Sequence, residues 1–234
     1  MKAIDIQYIF KFNDKKSEKV DLRLNPQTLD LIFDVPENLP SWTNLDFHQC
    51  PNCLLKIQTH PKCPLTVYLV RLLEIFGQLQ SHEMIEVEII TPERIIFRET
   101  SAQKGLSSLI GLIMATCGCP HTVFLRPMAR FHLPFANALE TVYRATSMYL
   151  LAQYLCRQQG YEVDLELEGL KKIYLNIQII NKALVDRLRT ITDKDIALNA
   201  LIILDTFAQT VPLAIDESLE ELLHLFEHYF SHLK

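Results

Sequence analysis

Four of the six cysteines in this chain stand at spacings that suit a metal ion. Cys50-Pro51-Asn52-Cys53 is a C-x2-C knuckle, in which two thiolates turn back toward one ion, and Cys63 follows it closely as a third corner of a tetrahedron. The fourth ligand has three candidates, in the order Cys119, His60, His48. Cys119, in Cys117-Gly118-Cys119-Pro120, would clamp the front loop to the end of a later helix. Pro51 and Pro64 stiffen the loop that must present the thiolates. Structural zinc on Cys50, Cys53, Cys63 and Cys119 is the first expectation. An iron-sulfur cluster on the same four residues is the alternative. A redox-active Cys50/Cys53 pair fits less well, because a thioredoxin-like motif leads straight into a helix and Leu54 to Pro61 lacks that periodicity. The bland reading is a set of free buried thiols.

A second group is Arg126, Arg130 and His132, close to Cys119 in sequence and between two expected helices. Arginines at such a junction hold a carboxylate or phosphate, and His132 would serve as base or ligand. Against this stands the reading in which both arginines pair with acidic groups elsewhere and His132 bonds locally. Third, Asp216, Glu220, His224, His228 and His232 recur every four residues. His224 and His228 share a face, but each such step drifts about 40° around a 3.6-residue helix, so the five form no straight row and read as a solvated face. Cys156 reads as core. Gly-rich phosphate loops, nucleophile elbows and H-E-x-x-H motifs are absent, and only six glycines occur, which weakens the case for a nucleotide-binding enzyme.

The elements that must position these groups follow from periodicity. Ala3 to Lys11 alternates, with Ile4, Ile6, Tyr8 and Phe10 on one face. Asn13-Asp14 turns the chain, Val20 to Leu24 alternates again, and Asn25-Pro26 leads to Leu29 to Phe33, giving three antiparallel strands. Val35 to Pro64 carries five prolines, too many for regular structure, and so long a loop needs a tie. A metal would supply it. Pro64 suits the first turn of a helix that runs through Phe76 and ends near Gly77. Met84 to Ile90 and Arg94 to Arg98 form a second hairpin around Thr91-Pro92-Glu93. The uncharged run from Gly105 to Leu125 imitates a membrane span, yet Ser107, Ser108, Gly118, Pro120 and His121 make a buried core helix over Gly105 to Thr116 the better reading. Further helices are expected over Pro134 to Gln159, capped by Gly160; Leu165 to Arg189, with a break near Asn181; Asp193 to Gln209; and Asp216 to His232. The fold class is α+β: a single domain over 1–234, with a small antiparallel layer in a strand-rich part (1–103, including the Cys-rich loop 46–64) packed on a helical part (104–234).

Composition sets outer bounds. The 234 residues, 49% hydrophobic and 22% charged, can fold around one large core or two modest ones. A formal charge of -5 argues against nucleic acid as a partner. Lys15, Lys16, Lys19 and Arg23 read as a solvated hairpin turn rather than a binding patch. Asp5 interrupts the N-terminal apolar stretch and no cleavage site follows it, so the thiols are expected in a reducing cytoplasm, with no membrane insertion.

Several blocks together resemble a bacterial family of unassigned function. They are Asp46-Phe47-His48-Gln49-Cys50-Pro51-Asn52-Cys53, His60 with Cys63-Pro64-Leu65, Thr91-Pro92-Glu93-Arg94, Lys104 to Leu109, Gly118-Cys119-Pro120, and Arg126-Pro127-Met128 with Arg130 to Ala136. The similarity continues through Ser147 to Tyr154 and Asn199 to Gln209 and covers most of the chain. In that family's pattern the position of Cys117 is a serine whereas Cys119 matches, which implies that Cys119 rather than Cys117 belongs to the site. The resemblance implies a bacterial, cytoplasmic setting and carries no activity with it.

Two functional classes follow. One is a structural, interaction or regulatory module in which the metal serves stability and the apolar helical half binds a partner or a second copy as a homodimer. The other is a metal-dependent enzyme, or an iron-sulfur redox or sensing protein, with a pocket near Cys119, Arg126, Arg130 and His132. Four protein ligands close a site; three plus water leave room for chemistry.

Overall fold

The computed structural model describes residues 2–12, 16–32, 38–192 and 195–232. Strand β1 (Ile4–Lys11) follows the period-two pattern: Ile4, Ile6, Tyr8 and Phe10 are buried, while Asp5 and Lys11 face solvent. It lies in the middle of a five-stranded sheet of order β3-β2-β1-β4-β5. Its neighbours are β2 (Ser17–Leu24) and β4 (Met84–Ile90), both antiparallel, with Tyr8 opposite Val20 on one side and Ile89 on the other. The edges are β3 (Leu31–Ile32) and β5 (Ile95–Ser101). The strand expected from Leu29 is shorter than its pattern suggests. Asn25 Oδ1 accepts from the backbone N–H groups of Gln27 and Thr28, and Leu29 takes a φ of 60°, so a turn occupies the strand's first residues. Asn13, Asp14 and Phe33 lie outside the described residues.

One face of the sheet is covered by helices α1 (Pro64–Phe76) and α2 (Ala102–Thr116). The α2 helix starts directly from β5, earlier than its apolar run predicts, and is buried on nearly every side. Gly105 permits its close approach, since a Cβ there would lie 3.2 Å from Val87 Cγ2 and 3.4 Å from Ile85 Cδ1. The run that imitates a membrane span is thus a core helix as far as Thr116. Behind α2 sits α6 (Ile196–Asp216), which also packs on α5 (Glu168–Arg189) and α4 (Ala138–Gln158). By length and composition alone, α6 is apolar enough to cross a membrane. Most of the described buried hydrophobic residues, from Ile4 to Leu222, belong to one cluster that joins sheet and helices.

Helix ends show where local chemistry overrode periodicity. The α4 helix opens at Ala138, not Pro134, because Asn137 and Glu140 form a reciprocal capping box. Gly160, with a φ of 80°, follows its end as expected. The break expected near Asn181 does not occur: Asn181 is fully buried and donates to Asp205 Oδ1 on α6 at 3.3 Å, so its amide serves packing between helices. The α6 helix runs past Gln209 and through Pro212. The carbonyl that Pro212 leaves without its usual donor, that of Ala208, accepts instead from Gln178 Nε2 of α5 at 2.9 Å. The final expected helix is divided. Ser218 and Leu219 have φ values of 56° and 55°, and only the short α7 (Glu220–Leu223) and α8 (Glu227–Ser231) follow, joined by a 3-10 turn. His224, His228 and His232 are all exposed there. The remaining helix, α3 (Arg126–Arg130), leads from the end of α2 toward α4.

Candidate metal centre and cavity

The Cys-rich loop is tied down before any ion is considered. A 3-10 turn at Ser41–Thr43 brings Thr43 O to the N–H of Cys63 (2.8 Å), and Leu45 N–H donates to Pro61 O (3.0 Å). Lys62 Nζ adds a bond to Asn44 Oδ1 at 2.7 Å. Cys63 is thereby fixed as the N-cap residue of α1. The knuckle closes through Cys53 N–H to Cys50 O at 3.0 Å. Its Asn52 donates to Asn176 Oδ1 of α5 at 2.9 Å, and its Asn52 carbonyl meets His121 Nε2 at 2.5 Å. On the opposite wall, Gly118 adopts a φ of 88° directly after α2, a left-handed turn that a Cβ would strain, and so turns Cys119 toward the loop.

Cys50, Cys53, Cys63 and Cys119 line one small cleft of about 30 Å³, together with His48, His121 and Arg187. Among the described residues no three His, Cys, Asp or Glu side chains stand in an arrangement that could hold a metal ion. The four thiols share a cleft without forming a tetrahedron. They are close enough to sense one another. Cys50 is pushed up to about 12, first by burial and then by the neighbouring charges of Cys63, Cys119 and Cys53, with Arg187 acting in the opposite sense. Burial also raises Cys119, against hydrogen bonds from the backbone at His121 and Thr122. Cys117 is buried apart from the cleft, its thiol donating to Met114 O at 3.4 Å. His60 is exposed, with Nδ1 bonded to Thr59 Oγ1 at 2.9 Å, and is not among the cleft residues. Cys156 is only half-buried on α4.

Arg187 is the cleft residue that sequence reading missed. It is 2% exposed. Its Nη1 donates to Trp42 O and Asn44 O, each at 2.9 Å, and its Nη2 to Leu45 O at 3.4 Å. Burial lowers it, whereas Cys63, Cys50, Asp46 and Cys53 raise it. No carboxylate among the described residues forms an ion pair with it. Its signal was legible: Arg187 interrupts the apolar stripe of Ile177, Ile180, Leu184 and Leu188, where a charge needs a reason.

The second group is dispersed. Arg126 pairs with Asp30, and Arg130 with Glu93 at 3.3 Å. Arg130 and His132 do share a cleft of about 110 Å³ with Thr91, Glu93 and Arg94. His132 also lines a larger cavity of about 330 Å³ between α2, α3, α4 and α6, where its companions include Ser107, Arg144, Tyr174 and many apolar side chains. His132 Nε2 lies 2.5 Å from the Tyr8 hydroxyl, which also meets Ser108 Oγ at 3.1 Å. Burial, and then Arg144, push His132 down to about 3. The cavity and the cysteine cleft have no lining residue in common.

Residues 6–227 match a family profile described as "Domain of unknown function (DUF6901)", and the chain belongs to that family. Comparisons with curated proteins and with solved structures find no match.

Proposed function

We propose that this chain is a metal-tied structural or interaction module in which Cys50, Cys53, Cys63 and Cys119 hold one zinc ion. The observation that carries this reading is the pairing of four thiols in one cleft with buried Arg187, which has no ion pair with a carboxylate among the described residues and feels Asp46 only at longer range. Four thiolates around Zn²⁺ carry a net charge of about −2, and a buried cation beside them offsets it. Four neutral thiols give Arg187 no such counter-charge. Binding would draw the thiols together in a loop that Asn52 already joins to α5 and to His121. An iron-sulfur cluster would use the same residues.

The enzyme reading receives less support. The cavity that contains His132 is walled off from the cleft, and Arg126 and Arg130 already have acidic partners. The bacterial, cytoplasmic setting rests on the resemblance of the sequence blocks alone. Self-association through a second copy is proposed for the α4 face, where Leu151, Tyr154 and Leu155 are each more than half exposed at helical spacing. Light scattering that returns the mass of one chain at high concentration would remove that part.

The deciding experiment is elemental analysis with an absorption spectrum on anaerobically purified protein, beside Cys53→Ser and Cys119→Ser. One zinc per chain, no visible band, and loss of metal and stability in both variants is the expected result. Iron with a visible band replaces zinc by a cluster. Metal-free native protein of full stability ends the proposal.

A further inference from the structure

The cavity behind α2 has the features of a small-molecule site. Its volume of about 330 Å³ lies at the lower end for such sites. Leu112, Met128, Phe135, Ile177, Leu204 and Phe207 are among its apolar lining. Its cationic side chains are Arg98, Lys104 and Arg144, and among the described residues no aspartate or glutamate lines it. Arg98 and Lys104 are exposed at its edge.

Two groups set its chemistry. Arg144 donates from Nη2 to Met128 O (2.9 Å) and Phe131 O (3.1 Å), which anchors the head of the guanidinium in the wall. Nε and Nη1 have no hydrogen-bond acceptor among the described residues, and no carboxylate lies within ion-pair distance. Glu140 acts on Arg144 only from afar, its carboxylate being engaged at Asn137 N–H. Tyr174, 4% exposed, reaches the same cavity from α5, and its hydroxyl makes no hydrogen bond among the described residues. Burial raises Tyr174 against the pull of Arg144, so it remains an O–H donor. The hydroxyl of buried Tyr174 and the free edge of the half-buried Arg144 guanidinium, both lining the cavity, are open to a ligand that accepts hydrogen bonds.

We propose that this cavity binds a small amphipathic monocarboxylate, its carboxylate on Arg144 and Tyr174 and its apolar body along Leu112, Ile177, Leu204 and Phe207. A carboxylate fits the planar guanidinium edge and accepts from the phenol. The half-buried Arg144 balances one negative charge inside, with Arg98 and Lys104 only at the exposed edge, whereas a phosphate dianion would leave charge uncompensated among the apolar walls. The volume admits on the order of ten non-hydrogen atoms, taking a water's share of liquid volume as the unit. This site is independent of the metal proposal, because it has no residue in common with the cysteine cleft.

The test is titration calorimetry on the purified, metal-replete chain with octanoate, 1-octanol and inorganic phosphate. Octanoate binds saturably, at least tenfold tighter than 1-octanol, and phosphate does not bind. Tyr174→Phe keeps the packing and removes one charge-assisted hydrogen bond, so octanoate weakens about tenfold while 1-octanol is unchanged. Arg144→Gln abolishes the preference for octanoate. Should Arg144→Gln fail to fold, Tyr174→Phe decides. Equal affinity for the acid and the alcohol, no saturable binding of octanoate, or an unaltered octanoate affinity in folded Tyr174→Phe overturns the proposal.

Discussion

The Tyr8 hydroxyl on the central strand lies 2.5 Å from Nε2 of His132, in the loop between α3 and α4. Burial raises Tyr8 and lowers His132, so both groups stay neutral, and the phenol bonds the imidazole on one side and Ser108 Oγ at 3.1 Å on the other. The contact ties the sheet to the wall of the cavity through a neutral chain of hydrogen bonds.

That neutrality sets a pH dependence. His132 titrates near 3 in the folded chain and near 6.5 when unfolded, so between these values the unfolded state binds the extra proton. Its contribution to stability is complete above pH ~6.5 and is lost as the pH falls, with a slope of at most about 1.4 kcal/mol per pH unit. Urea midpoints at pH 7, 6 and 5 should decline more steeply for the native chain than for His132→Gln. Parallel slopes would show that His132 is protonated in the fold.

Under the zinc proposal, Cys117 and Cys119 should differ in role although one residue separates them. Cys117→Ser should keep the metal, because the thiol is buried against Met114 O and a hydroxyl can make the same bond. Cys119→Ser should lose it. With Cys50 held up to about 12 in the metal-free cleft, metal uptake must displace protons, and zinc affinity should fall steadily as pH is lowered. Competition with a chromophoric chelator at pH 8, 7 and 6 reads both effects.

Arg187→Lys should be far from conservative. A single ammonium cannot reach the carbonyls of Trp42, Asn44 and Leu45 in the fork geometry of the guanidinium. The expected loss is about 1–3 kcal/mol in chemical denaturation, accompanied by weaker metal retention. A lysine variant with native stability and metal content would refute the charge-compensating role.

Gln178 and Pro212 should be energetically coupled. Gln178→Ala leaves the Ala208 carbonyl without a donor and should cost about 1 kcal/mol. In the background of Pro212→Ala, residue 212 regains the N–H that satisfies that carbonyl, and the cost should shrink. A double-mutant cycle measures the difference; additive losses would mean that the two residues act separately.

How much of this was legible depends on the interaction involved. The alternation of Ile4, Ile6, Tyr8 and Phe10 announces β1 because half-burial imposes period two, and Pro64 announces the start of α1. The spacing of Cys50, Cys53 and Cys63 announces a site candidate by local geometry alone. The division of the last helix at Ser218 and Leu219 could not be read, since neither residue type announces a left-handed backbone; the turn is closed by Ser218 N–H to Ile215 O (2.9 Å) and Leu219 N–H to Ala214 O (2.8 Å). Asn181 misled for a related reason: its amide prefers turns in isolation, yet Asp205 on α6 gives it a partner. Arg144 and Tyr174 converge only through the packing of α4 and α5, and no short-range pattern records that. Arg187 lay between these cases, visible as a charge on an apolar stripe but not as the neighbour of four thiols.

The strand order has a consequence for how the chain is made. The central strand β1 takes β2 at once, but its other edge waits for β4, on the far side of the Cys-rich loop and α1. At about 5–20 residues per second of synthesis, that edge stays open on the order of several seconds. A hairpin with Tyr8 and Phe10 uncovered is a template for a second nascent chain during that interval. A metal captured early by Cys50, Cys53 and Cys63, all emerging before β4, would shorten the search by holding the intervening segment compact. Refolding yield should therefore depend more on the moment at which zinc is supplied than on its final concentration.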